Sequence, residues 1–227
     1  MSKKWNKIGW CQRTINPVIG CPNGCEYCYA RSMNERFKWV EDFTKPQFFP
    51  HRLKDFCTKE PMIIFIDSMS DIAHWKQEWL IYTLECMYEN APNIYLALTK
   101  DIAKAKALKN SIGMAKRIPQ FYIGATVTNN EQAQAVIDAG GADFISFEPL
   151  LERIEPELLN QLKCRWWIVG DLTKNGKPQG VTKDEWVKEI FCHAIMDETN
   201  EVPFFMKESL RESCESFIQE FPEGWKS

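Results

Sequence analysis

Ile94-Tyr95-Leu96-Ala97-Leu98-Thr99 is an apolar run that closes on a polar residue, and beyond Lys100-Asp101 the segment 102–110 has apolar positions at helical spacing. The pattern then repeats: residues 121–128 form another such run, and 131–139 another helical stretch. Alternating β and α units of this kind impose right-handed crossovers and a parallel sheet. Working outward, residues 14–19, 62–67, 144–148, 166–170 and 203–206 read as further buried strands. Residues 26–37, 75–89, 155–162 and 184–196 read as the helices between them, with 209–219 closing the chain as a last helix. The expected class is α/β. Six or seven strands suit a partial (β/α)6 barrel of the TIM type better than a closed eight-stranded one.

Two interruptions break the alternation. Residues 38–60 are long for a connection and carry Trp39, Phe43, Phe48, Phe49 and Phe56, which predicts an irregular arm or short extra helix that packs. Residues 171–182, with Asn175-Gly176 and Pro178, read as a loop at the carboxyl end of a strand, where a βα barrel carries its chemistry, and so as a candidate lid. No internal repeat or Pro/Gly-rich linker is present, so a single domain over 1–227 is the expectation.

The composition narrows the classes. With 44% hydrophobic and 26% charged residues in 227, the chain is an ordinary globular one with a sizeable core, neither disordered nor fibrous. Its longest apolar run, Met62 to Ile66, is far below the roughly 18 residues of a membrane span. Neither a secretory signal nor a lipidation site is legible, which predicts a cytoplasmic protein with no membrane partner. A net charge of −3 argues against a broad electrostatic footprint for duplex nucleic acid. Nine cysteines, an odd number, suit reduced thiols or metal ligation better than a disulfide framework.

Three of those cysteines decide the chemistry. Cys21-Pro22-Asn23-Gly24-Cys25-Glu26-Tyr27-Cys28 places three thiols within one tight turn, after the first strand and at the start of the first helix. Proline and glycine allow the wrap, and the helix N-terminus favours the negative charge of thiolates. A cubane iron–sulfur cluster has four irons and usually four cysteines, so three local thiolates leave one iron open. The alternative is structural zinc, which needs a fourth ligand such as Cys11, His51 or Cys57 and finds no second Cys-x-x-Cys pair. That alternative describes a non-enzymatic module binding nucleic acid or protein; a cluster-bearing redox sensor is a further one. Cys86, Cys164, Cys192 and Cys214 are dispersed and read as buried thiols.

The spacing Cys-x3-Cys-x-aromatic-Cys, with Tyr27 as the aromatic, resembles the signature of the radical S-adenosylmethionine (SAM) superfamily. The segments 16–21, 28–30, 65–71, 98–100, 147–151 and 203–205 look, together, like a group of phage and prophage members of it. Two departures stand out: that group often has a longer first cysteine gap, and Gly-Gly-Glu where this chain has Gly170-Asp171-Leu172. The resemblance implies a [4Fe-4S] cluster on Cys21, Cys25 and Cys28 and an enzyme that cleaves SAM reductively. The resulting 5′-deoxyadenosyl radical would abstract hydrogen from a substrate, with a nucleotide or nucleic acid as one class. It also implies oxygen sensitivity and an electron donor of flavodoxin or ferredoxin type.

Strand ends supply the remaining candidates. Ser68, Ser70 and Asp71, with Asp67, follow an apolar strand; the resemblance assigns Ser68 and Asp71 to the methionine amino group, and a helix cap is the competing role. Thr126, Thr128 and Asn129 end a strand where, by the resemblance, the cofactor's ribose and carboxylate are contacted; the competing role is capping, with Asn129 or Asn130 starting a helix and Glu131 or Gln132 in its first turn. Glu148 lies in an apolar strand, where an unpaired carboxylate is costly, so a cofactor pocket role is expected. Tyr27 joins the cofactor-binding set, and Lys100, Asp171 and Lys207 are candidates for a cofactor or substrate pocket. His74 reads as structural, and the basic stretch from Lys104 to Arg117 as a solvated face.

Overall fold

The computed structural model describes residues 6, 8–90, 92–174, 177–195 and 201–225. The fold is α/β, built on a seven-stranded sheet, and the chain divides into two compact units, Met1–Ile123 and Gly124–Ser227. The first unit runs β1 (Arg13–Thr14), β2 (Val18–Ile19), α1 (Tyr29–Phe37), β3 (Gln47–Phe48), a 3-10 helix (Pro50–Phe56) and β4 (Ile63–Phe65). It continues with a 3-10 turn (Ile72–His74), α2 (Gln77–Glu89), β5 (Ile94–Thr99), α3 (Ile102–Asn110) and the start of β6 (Phe121–Thr126). Its strands lie in the order β1-β4-β5-β6, with β1 parallel to β4 and β4 parallel to β5. Ile63, Ile64, Leu96 and Ala97 are buried, as strands covered on both faces require. On α2, Leu80, Leu84 and Met87 recur at helical spacing and are fully buried, each contributing about 1.5–3 kcal/mol.

The second unit begins within β6 and continues with α4 (Asn130–Asp138), β7 (Ile145–Phe147), α5 (Pro156–Leu159) and β8 (Trp167–Val169). A hairpin of β9 (Thr173–Lys174) and β10 (Lys177–Pro178), then α6 (Asp184–Ile195) and β11 (Phe204–Met206), complete it. The strand order here is β6-β7-β8-β11, all parallel. Phe144, Trp166, Phe205, Phe221 and Trp225 form one aromatic cluster, with Trp166 at its centre. Among the described residues no helix is long and apolar enough to cross a membrane.

Three expectations are corrected. Residues 14–19 form two strands with different partners, because Pro17 has no N–H for a ladder and the chain turns there; β2 pairs antiparallel with β3 of the arm. Residues 209–219 are not a helix: after a 3-10 turn (Glu208–Leu210) the chain runs antiparallel along β11, with Met206 N–H donating to Ile218 O and Glu220 N–H to Phe204 O. An open strand edge with unpaired backbone groups outbids a weak helical pattern. The expected helix 155–162 shortens to the single turn of α5. Asn175-Gly176 and Met196 lie outside the described residues, so the tip of the 171–182 loop is not described.

Candidate cluster loop and strand-end sites

The cysteine loop is anchored at both ends, by backbone bonds at the first and by a side-chain cap at the second. Gly20, after β2, has φ +112° and bridges Ser70, with its N–H donating to Met69 O at 3.0 Å. Cys21 N–H donates to Phe43 O at 2.7 Å. At the far end Cys28 is the N-cap of α1, its Sγ accepting from Arg31 N–H at 3.4 Å. This explains why the helix begins at Tyr29 and not at Glu26. Gly24, at φ +71°, makes the turn between.

All three thiols are partly exposed. Cys21 and Cys28 pack against an apolar cluster of Ile19, Ala30, Val40, Phe43 and Met69. Burial pushes the Cys21 thiol up to about 12; the Asn23 N–H opposes the shift, while nearby Asp71, Cys28 and Cys25 add to it. A polycationic centre beside Cys21 would oppose the burial that holds this thiol up and so lower the cost of its ionisation. Among the described residues no three His, Cys, Asp or Glu side chains gather tightly enough for a single metal ion. A cluster asks for no such convergence, since each thiolate bonds a different iron. Of the zinc alternatives, Cys11 is buried and its sulfur accepts from the Asn6 amide, His51 stands edge-on to Phe49, and Cys57 is exposed after the 3-10 helix.

Asp71 is the hub of this loop. Its Oδ1 accepts from Thr99 Oγ1 at 2.6 Å and Ala73 N–H at 3.0 Å, and its Oδ2 from Asn23 Nδ2 at 2.8 Å and Lys100 N–H at 3.0 Å. Four donors from the cysteine loop, the 3-10 turn and the end of β5 saturate one carboxylate that is 5% exposed. Ser68 and Met69 are held by Asn16, whose Oδ1 accepts from Ser68 Oγ and Met69 N–H at 3.0 Å each. Tyr29 OH donates to Ser68 O, and Ser70 Oγ accepts from Trp75 Nε1. Asp67 accepts from the N–H groups of Leu98 and Ile72, and burial raises its carboxyl well above the usual range. Lys100 Nζ lies 5.6 Å from the centre of the Tyr27 ring, which places a cation beside the residue between Cys25 and Cys28.

The second unit gathers other candidates. Lys207 Nζ, after β11, donates to both oxygens of Glu148, after β7, at 2.5 Å, with side-chain exposures of 16% and 22%. Gly170, after β8, makes room for the pair: a Cβ there would stand 3.0 Å from Glu148 Cγ and Cδ and from Lys207 Cδ. Asp171, 1% exposed, turns inward, accepting from the N–H groups of Gly180, Val181 and Thr182 at 2.6, 2.9 and 2.9 Å. It ties residues 180–182 back to the end of β8. Replacing Asp171 with Ala leaves three N–H groups without their charged acceptor and is expected to cost about 3 kcal/mol or more; urea unfolding and protease cleavage within 171–182 check this. Asn129 caps α4 by accepting from Gln132 N–H, while Gln132 Oε1 accepts from Thr128 N–H and Oγ1. Thr126 ends β6, 8% exposed.

The profile of a family described as "Protein of unknown function (DUF5131)" matches residues 5–215. The chain belongs to the DUF5131 family. No curated protein sequence is significantly similar to this DUF5131 chain. Two solved structures resemble it. One is a Cys-to-Ser mutant of spore photoproduct lyase, at TM-score 0.47 and 14% identity, covering 70% of this chain and 55% of that one. The other is a double mutant of spore photoproduct lyase with bound AdoMet and dinucleoside spore photoproduct, at TM-score 0.48 and 13% identity, covering 82% and 61%. The DUF5131 chain thus spans less than two thirds of the length of either.

Asn16, Asn23, Thr99 and Gly170 were not singled out by residue pattern. Asn23 and Gly170 have local signals, a Pro-Asn-Gly turn and a glycine at a strand end, but the partners they meet lie far along the chain.

Proposed function

We propose that the chain is a radical SAM enzyme in which Cys21, Cys25 and Cys28 hold a [4Fe-4S] cluster. The observation that carries it is the set of three part-exposed thiols on one loop, tied by Asn23 and Gly20 to the residues that follow β4. Cys21, Cys25 and Cys28 would hold such a cluster, and the chemistry it would supply is one-electron reductive cleavage of SAM to a 5′-deoxyadenosyl radical. The chain's own residues do the holding. The amides at the N-terminus of α1 favour the negative charge of Cys28 and of what it binds. Ile19, Ala30, Val40, Phe43 and Met69 form a dry floor under Cys21 and Cys28, which limits water at the sulfur atoms. Lys100, lying on Tyr27, offers a positive charge to the carboxylate of the bound cofactor. Asp71 acts through the loop rather than on the cofactor, because its oxygens are already filled. The electron donor this chemistry requires is a protein of flavodoxin or ferredoxin type.

The test is SAM cleavage. Anaerobically reconstituted protein, reduced with dithionite and given SAM, is expected to release 5′-deoxyadenosine and methionine in equal amounts. A fully iron-loaded, reduced chain that leaves SAM intact would contradict the proposal.

A further inference from the structure

Between the two anchored ends of the cysteine loop, residues 22–26 are exposed except Cys25, which is partly so. One side chain there is gripped from two sides. Asn23 Nδ2 donates to Asp71 Oδ2 at 2.8 Å, and Asn23 Oδ1 lies 2.6 Å from His74 Nε2. The carboxylate can only accept, which fixes the amide orientation; the amide oxygen can only accept, which puts the His74 proton on Nε2. The other ring nitrogen, Nδ1, is then the acceptor facing Lys104 Nζ at 3.4 Å. A line of four side chains thus runs from α3 through the 3-10 turn to the loop and ends on Asp71. Asp71 in turn holds Thr99 and Lys100 at the end of β5.

We infer that Asn23 is a positioning residue that sets the span between Cys21 and Cys25 before any metal is bound. It sits two residues from each, and its amide is the side-chain tie from this part of the loop to Asp71. Ordering the span in advance removes conformational entropy that iron binding would otherwise have to offset. The inference rests on the cluster assignment for its purpose, but the clamp itself is a property of the metal-free chain.

The test uses the full metal-free chain first. Asn23→Ala is expected to raise backbone hydrogen exchange over residues 21–28 and the iodoacetamide alkylation rate of Cys25 at least about fivefold, with the thermal midpoint nearly unchanged. Asn23→Asp, of the same size, sets a carboxylate against Asp71 and is expected to do the same. His74→Gln keeps a donor toward Asn23 and should stay close to wild type. After reconstitution, iron is expected to leave Asn23→Ala about 10–100 times faster under a chelator. Unchanged exchange and alkylation in both Asn23 variants overturn the clamp whatever the iron content. Faster exchange in the Asn23 variants, with a wild-type chain that takes up no iron, upholds the clamp and overturns the cluster assignment.

Discussion

Replacing Cys25 with alanine is expected to strip the iron from the reconstituted chain and to leave the fold standing. Cys25 is partly exposed, and the loop bond from Cys28 N–H to Cys25 O, at 3.2 Å, is a backbone bond that alanine keeps. The stability change is therefore expected to stay within about 1 kcal/mol. The loss of iron is expected to be nearly complete, from about four per chain to below one, because two remaining thiolates do not retain a cubane. Cys28→Ala separates the roles differently. It too removes a ligand, but it also removes the side-chain cap of α1, at a further cost of about 0.5–1 kcal/mol given the long 3.4 Å bond. Iron analysis alongside urea unfolding checks both variants. Full iron content in Cys25→Ala would place the metal elsewhere.

Gly20→Ala is expected to be the most damaging single-methyl change in the loop. At φ +112° an L residue is strained, and its Cβ would stand 2.9 Å from Pro46 Cα and 3.0 Å from Phe43 O. Both are backbone atoms, and Phe43 O is the acceptor that holds Cys21 N–H. Relief therefore requires the arm to move off the loop, taking the first cysteine's anchor with it. The expected loss is about 3 kcal/mol or more, read by urea unfolding, with iron retention lost in parallel. Gly24→Ala is the control. It shares the positive φ, at +71°, but meets nothing nearer than Pro22 O at 3.9 Å, so it should cost only about 1 kcal/mol.

These two glycines show where sequence patterning stops. Strand β5 and helix α3 end where their apolar runs end, because hydrophobic periodicity is written locally. The break of 14–19 at Pro17 is equally local in its cause, yet the antiparallel partner of β2 is Gln47–Phe48, a pairing no periodicity announces. The 209–219 segment had helical spacing but met the edge of β11, and tertiary pairing won. In the candidate site, the cysteine triplet stands out in the sequence because its spacing is itself the signal. Asp71 was legible only as an acidic residue at a strand end; that Asn23, Thr99 and Lys100 would fill its oxygens depends on contacts 28–48 residues apart. Glu148 was marked by the cost of burying a carboxylate, and Lys207 beneath Gly170 is how that cost is met.

The cluster assignment is tested most directly by anaerobic reconstitution, followed by iron and sulfide analysis and paramagnetic resonance of the reduced protein with and without SAM. The account predicts about four irons and four sulfides per chain and a reduced-state spectrum that shifts when SAM is added. One tightly held zinc, or a cluster spectrum indifferent to SAM, would contradict it.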